Sequence, residues 1–242
     1  MHHVKTVLIT GANKGIGYET ARQLGAMGFT ILLGTRNEEK GKEAAAGLVN
    51  EGVNAHHILL DVTNQHTIEA AFKNIEEEFG SLDVLINNAG VSLERGISPS
   101  QLELSVLKET FETNFFGMFA VTRAMLPLLK KSPCGRIINL SSGLGSLTIN
   151  SDPESEFARF NLLAYSSSKT AVNALTVMLA KEFKNTPLKI NSADPGYTAT
   201  DLNRHSGYRS VEQAAGIVVR LATLPEDGPT GGFFDENGEV PW

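Results

Sequence analysis

The sequence predicts an α/β protein: a doubly wound parallel sheet of about seven strands with helices on both faces. Three observations carry that expectation. Short β-branched runs alternate with longer helical patterns along all 242 residues. Most of these runs are apolar throughout, without the polar alternation of a half-exposed strand, as in a sheet buried on both faces. Finally, Gly11, Arg36, Asp61, Asn88, Ser142 and Pro195 each follow the carboxyl end of one of the first six runs. Ligands in open α/β sheets bind outside those ends, where the strand order reverses.

Residues 4–10 (Val-Lys-Thr-Val-Leu-Ile-Thr) read as the first strand. A glycine-rich turn follows at once, with Gly11, Asn13, Lys14, Gly15, Ile16 and Gly17, and then a helix to residue 27. Strand, glycine turn and helix in succession point to a dinucleotide site. Gly11 permits the tight turn, Gly15 lets backbone approach a pyrophosphate, and Gly17 lets the helix pack closely. The free N–H groups of the helix then face phosphate. The spacing is Gly-x-x-x-Gly-x-Gly rather than the commoner Gly-x-Gly-x-x-Gly, and the alternative is a glycine-rich loop with no ligand. Residues 29–35 form the second strand, ending in Thr35-Arg36-Asn37, where such a fold meets the adenosine ribose. An NAD site needs an acid there for the ribose 2′-hydroxyl. None is present, because Glu38 and Glu39 come only inside the next helix. Arg36 can instead fork onto a 2′-phosphate and Lys14 can add a point charge, a pairing that selects NADPH. The alternative is two solvated surface cations.

A helix over 37–50, a strand over 54–60, a helix capped by Asn64 and running to 79, and a strand over 82–86 come next. Residues 101–130 are helical territory, with Asn114 and Gly117 inside it and Pro127 near a kink or an end. The chain continues as a strand over 136–140, a loop over 144–160, an apolar helix over 163–183 and a strand over 188–192. A helix over 211–224 and a short strand over 231–234 complete it. No repeat, linker or low-complexity stretch interrupts the pattern, so 1–242 reads as one domain.

The helix over 163–183 carries Tyr165 and Lys169, four apart and therefore on one face. An ammonium beside a phenol favours the phenolate, so the pKa of Tyr165, about 10 when unperturbed, is expected to fall. Such a tyrosine passes a proton to or from a developing alkoxide near neutral pH. Alone, the same spacing also describes an exposed helix face.

A net charge of −6 leaves no basic excess to neutralise nucleic-acid phosphates. No apolar run is long enough to span a membrane. The start, Met1-His2-His3-Val4-Lys5, lacks a signal-peptide layout. The single cysteine, Cys134, excludes an internal disulfide and fits a reducing cytoplasm. The six histidines show no ligand spacing with cysteine or acids, so no metal site is expected.

Thr10-Gly11-x-x-x-Gly15-Ile16-Gly17, Asn87-Asn88-Ala89-Gly90, Ser142, Tyr165-x-x-x-Lys169 and Pro195-Gly196 occur in that order over nearly the whole chain. Together they resemble the short-chain dehydrogenase/reductase family. Asn13-Lys14-Gly15-Ile16-Gly17 and the ending from Gly231-Gly232 resemble its NADPH-dependent carbonyl reductase branch. The resemblance implies a single-domain Rossmann fold and reversible hydride transfer from NADPH to the carbonyl of a small ketone or aldehyde. It implies that Tyr165 is the general acid, that Lys169 lowers its pKa and holds the nicotinamide ribose, and that Ser142 hydrogen-bonds the carbonyl. Asn114 would help order a water linking Lys169 to solvent. Asp61 and Val62 would flank the adenine, Asn88, Ala89 and Gly90 would line the cofactor, and Pro195, Gly196 and Thr198 would face the nicotinamide.

Between Ser142 and Tyr165 lie 22 residues, more than the family usually has. That makes 143–163 an insertion and leaves monomer or homo-oligomer undecided. Its apolar residues, Leu144, Leu147, Ile149, Phe157, Phe160, Leu162 and Leu163, either line a pocket for bulky carbonyl compounds or pack on the core as a short helix. Two other functions compete. A non-catalytic NADP(H)-sensing protein would not need Ser142, Tyr165 and Lys169 together. A sugar-nucleotide epimerase would need a separate substrate domain.

Overall fold

The first strand, β1 (Thr6–Thr10), sends Leu8 to one face and Val7 and Ile9 to the other, and all three are fully buried. That division is repeated along the chain in the computed structural model, which describes residues 4–94 and 96–242. The N-terminal start, with His2 and His3, lies outside the described residues. After β1 come α1 (Gly15–Ala26), β2 (Thr30–Thr35), α2 (Glu38–Asn50), β3 (Ala55–Leu59), α3 (Gln65–Phe79) and β4 (Val84–Asn87). Then follow α4 (Leu104–Phe111), α5 (Met118–Leu129), β5 (Arg136–Leu140), α6 (Leu147–Ser151) and α7 (Leu163–Glu182). The chain closes with β6 (Lys189–Ala193), α8 (Val211–Ala222) and β7 (Phe233–Phe234).

Among the described residues the seven strands form one sheet in the order β3-β2-β1-β4-β5-β6-β7, and every pair is parallel. On one face Leu8, Leu32, Leu85, Ile137 and Ile190 pack with α3, α5 and α7. On the other Val7, Ile9, Ile31, Leu33 and Ile86 pack with α1, α2 and α8. This is the doubly wound Rossmann arrangement. Only the edge strand β3 alternates, with His56 and Leu59 exposed. Strand order reverses between β1 and β4, which sets the crevice where a ligand fits.

Two local features differ from the sequence expectation, at the middle of the 101–130 stretch and within 144–160, while Pro127 falls near a helix end as expected. The helical stretch over 101–130 is interrupted by a π-turn at Glu112–Gly117, with Asn114 inside it. Gly117 is required there: a Cβ would stand 2.7 Å from the Val62 carbonyl oxygen. Pro127 lies in the last turn of α5 and marks its end. The stretch expected as a loop contains α6, which Ser146 caps by accepting the Ile149 N–H at 3.1 Å.

Candidate functional site

Crossing from β1 to β4, the two strand ends lock together. The Thr10 hydroxyl accepts the N–H groups of Asn88 and Ala89, each at 3.0 Å. The Asn88 amide donates back to the carbonyls of Thr10 at 2.8 Å and Gly11 at 3.1 Å. A Cβ on Gly17 would stand 2.5 Å from the Asn88 nitrogen, so Gly17 makes room for that side chain. Gly11 and Gly15 have φ of 65° and 60°, the left-handed region that favours glycine. A Cβ at Gly15 would meet only Thr200, at 3.7 Å, so the face above the turn is open. Lys14 occupies the position before α1 and its side chain caps nothing. The first N–H groups of α1 therefore have no side-chain acceptor among the described residues. Asn13 is partly buried in this turn, and Ile16 packs on the core beneath it. An uncapped helix start under an open glycine turn fits the phosphates of a dinucleotide.

At the end of β2, Arg36 is exposed and makes no hydrogen bond or ion pair among the described residues. Lys14, by contrast, is paired with Asp201, whose carboxylate also meets His205 Nε2 at 2.8 Å. Thr35 is buried, and its hydroxyl meets His57 Nε2 at 2.9 Å and donates to the Asn37 carbonyl at 3.0 Å. It faces α2, not the crevice. At the end of β3, Asp61 accepts the N–H of Thr63 at 3.0 Å, while Val62 is buried in the core.

On the far side of the crevice, Ser142 follows β5 and its hydroxyl accepts the Leu144 N–H at 3.2 Å. Tyr165 and Lys169 lie on α7. The Lys169 ammonium stands 5.6 Å from the Tyr165 ring centroid and donates to the Leu140 carbonyl at 2.8 Å. A polar chain anchors α7 to the sheet: Asn87 donates to Asn139 at 2.8 Å, Asn139 donates to Thr176 at 2.9 Å, and Thr176 meets Ser192 at 2.9 Å, all buried.

The expected fall in the Tyr165 pKa is not found. Burial pushes it up to about 12, the Asp194 carboxylate adds to the rise, and the Ser142 hydroxyl draws it down. Burial also lowers Lys169 to about 8. The lysine lies over the ring face rather than at the phenol oxygen, and its ammonium donates to the Leu140 carbonyl. Asn114 is buried inside the π-turn. Its side chain accepts the Val91 N–H at 2.8 Å and donates to the Val91 carbonyl at 2.9 Å and to Ser168 at 3.0 Å. A Cβ on Gly90 would lie 3.5 Å from Asn114 Oδ1 and 3.6 Å from Lys169 Nζ, so both groups face this glycine.

Pro195, Gly196 and Thr198 follow β6. Gly196 has φ of 72° and donates its N–H to Asp194 at 2.9 Å, and the Thr198 hydroxyl donates to the Gly196 carbonyl at 3.1 Å. Asp194 is buried, and burial raises its pKa. A Cβ on Gly143 would stand 3.0 Å from its carboxylate, so it borders the Ser142–Gly143 turn. Asp194 and Glu94 are the buried acids at this site to which no role was given from sequence. Asp194 stands in the sequence at the end of the sixth strand, just before Pro195 and Gly196. Glu94 bonds residues 70 and 71 positions away, and no local pattern marks it.

Within 143–163, Phe157 packs against Phe160, Phe160 against Tyr197, and Tyr197 against Tyr208, with centroids 6.5, 5.9 and 6.0 Å apart. A cavity of about 560 Å³ is bordered by Ile149, Phe157, Asp194, Tyr208, Arg209 and Glu236. A second, of about 330 Å³, is bordered by Ile97, Phe160 and Leu162. Neither wall includes Tyr165; the larger adjoins the Ser142–Gly143 turn through Asp194 and Phe157. Leu144 is buried, whereas Leu147 and Leu163 are exposed. No helix of the described residues is long and apolar enough to cross a membrane, and none of their histidine, cysteine and acid groupings could hold a metal ion.

A family model described as short chain dehydrogenase matches residues 5–209. The chain is 38% identical to "Short-chain dehydrogenase anuI" of Penicillium roqueforti, covering 90% of this chain and 88% of that one. It is 33% identical to (+)-neomenthol dehydrogenase of Capsicum annuum, covering 94% of each. Among solved structures, the NADPH-bound carbonyl reductase from chicken fatty liver superimposes with a TM-score of 0.87 at 27% identity, covering 99% of this chain and 100% of that one.

Proposed function

The chain belongs to the short-chain dehydrogenase family of oxidoreductases, and from that membership we propose that it reduces ketones or aldehydes with NADPH, using Tyr165 as the general acid. The observation that carries this function is the grouping of Ser142, Tyr165 and Lys169 across the crevice from an open, uncapped glycine turn. The similarity to an NADPH-bound carbonyl reductase supports the same chemistry.

The phosphates would rest on the turn formed by Gly11, Asn13, Lys14, Gly15, Ile16 and Gly17. Arg36 would meet a 2′-phosphate, Asp61 and Val62 the adenine, Asn88, Ala89 and Gly90 the middle of the cofactor, and Pro195, Gly196 and Thr198 the nicotinamide end. Bound NADPH supplies a hydride for a carbonyl carbon. Tyr165 gives its phenolic proton to the carbonyl oxygen as that oxygen gains charge, and the Ser142 hydroxyl donates to the same oxygen. Lys169, positively charged, favours the departing proton and holds the nicotinamide ribose. Asn114 holds the loop at Val91 and orders a water behind Lys169. Incubation with NADPH and a panel of activated ketones and aldehydes, followed at the reduced-nicotinamide absorbance, tests this function.

The pKa directions give a pH dependence. Tyr165, at about 12, keeps its proton throughout the working range and remains a donor. Lys169, at about 8, is charged below that pH and neutral above it. The kcat/KM for reduction is expected to be level from pH 6 to about 7.5 and to fall as pH rises through about 8. Lys169→Arg keeps the charge and should remove that fall. A wild-type profile level to pH 10 would count against the role of Lys169.

The aromatic row from Phe157 to Tyr208 gives the substrate side bulk and apolar surface. An aromatic contact contributes about 0.5–1.5 kcal/mol beyond buried area, or roughly 2- to 12-fold in affinity. Phe157→Ala with Phe160→Ala is expected to raise KM by about that factor for bulky carbonyl compounds and less for small ones. Equal changes for both sizes would mean that the two rings only support the fold.

A further inference from the structure

α7 begins without a cap of its own. Leu162, just before it, has no side-chain acceptor for the first N–H groups. The acceptor comes instead from Glu94. Its Oε2 accepts the Ala164 N–H at 3.0 Å and its Oε1 accepts the Tyr165 N–H at 2.7 Å. Glu94 is only 4% exposed. A buried carboxylate across two N–H groups, at the positive end of a helix dipole, makes strong charge-assisted bonds.

Glu94 also ends the stretch that starts at Asn88. The middle of that stretch is held at Val91 by Asn114, whose amide reaches Ser168 on α7 at 3.0 Å. The loop beside the glycine turn is therefore joined to α7 through Asn114 at Ser168 and directly by Glu94 at the N–H groups of Ala164 and Tyr165.

We propose that Glu94 is a positioning residue for Tyr165: by holding the N–H groups of Ala164 and Tyr165 it fixes the first turn of α7, and with it the place of the phenol beside Ser142. This rests on the proposed role of Tyr165 as the acid. Glu94 bonds only backbone there, so its removal leaves the chemistry of the phenol intact and loosens its location. Misplacement by about 1 Å costs up to about 10²-fold in rate.

The test uses full-length Glu94→Ala and Glu94→Gln. The Ala variant is expected to lose about 10- to 100-fold in kcat per NADPH-binding site, with KM for NADPH changed by less than about twofold. The Gln variant keeps one acceptor and should lose less. In cofactor-free protein, amide hydrogen exchange at Ala164 and Tyr165 should be about tenfold faster or more in the Ala variant, with Ile9 and Ile138 in the sheet unchanged. Unchanged exchange at Ala164 and Tyr165 would overturn the proposal. So would an undiminished kcat per site, or a fall in Tm with no change in kcat. If the Ala variant does not fold, the Gln variant decides by the same readouts. A wild type that binds NADPH and reduces nothing would refute the role of Tyr165 instead, while the exchange result would still report on the cap.

Discussion

Replacing Tyr165 with Phe is expected to lower kcat by about 10²–10⁴-fold, the usual contribution of a general acid, while leaving NADPH affinity nearly unchanged. The substitution keeps the aromatic ring under the Lys169 ammonium, 5.6 Å from its centroid, and removes only the hydroxyl. The cap from Glu94 is to the backbone of residue 165 and survives the change. Burial holds the phenol at a pKa of about 12, so the wild-type group is protonated and ready to donate. Ser142 can polarise a carbonyl oxygen by hydrogen bonding, but a serine hydroxyl is a far weaker acid than a phenol and does not replace it. Steady-state kinetics with a saturating ketone, together with NADPH binding by fluorescence, check both halves. A Phe variant keeping most of its turnover would end the assignment of Tyr165 as the acid.

The second large effect concerns the nucleotide. NADPH is expected to be preferred over NADH by roughly 10- to 150-fold in kcat/KM. The figure follows from one hydrogen-bonded charge, about 1.5–3 kcal/mol, at about 1.4 kcal/mol per decade. Arg36 supplies that charge, since it is exposed and unpaired among the described residues. Lys14 adds little, because it must first leave Asp201. Arg36→Ala should therefore remove most of the preference, and Lys14→Ala should change it only slightly. Raised salt should shrink it, since exposed charges are screened. Thr35 is a poor place to reverse it: a carboxylate there would be buried against His57 and α2. Equal kcat/KM for the two nucleotides would refute the assignment of Arg36.

The fold was legible because burial writes itself into sequence. β1, β2 and β5 bury apolar side chains on both faces and read as buried parallel strands, and the glycine turn announced the crevice. What could not be read depends on contacts between distant residues. The π-turn around Asn114 ends at Gly117, which packs against the Val62 carbonyl, about 55 positions away in the chain. The rise in the Tyr165 pKa follows from burial and from Asp194, neither of which the Tyr-x-x-x-Lys spacing contains. That spacing places the lysine on the right face of α7, yet it does not tell whether the ammonium meets the phenol oxygen or the Leu140 carbonyl. Glu94 is the clearest case: it caps a helix from 70 residues upstream, where local capping rules have nothing to act on.

The most direct measurement of the central claim is to mix the protein with NADPH and an activated ketone and follow nicotinamide absorbance and alcohol formation together. The expected result is one alcohol formed for each NADPH consumed by wild type, with turnover falling by at least about 10²-fold in Tyr165→Phe although the nucleotide still binds. NADPH that binds to wild type but is consumed with no carbonyl compound in the panel would contradict the account and leave a nucleotide-sensing protein in its place.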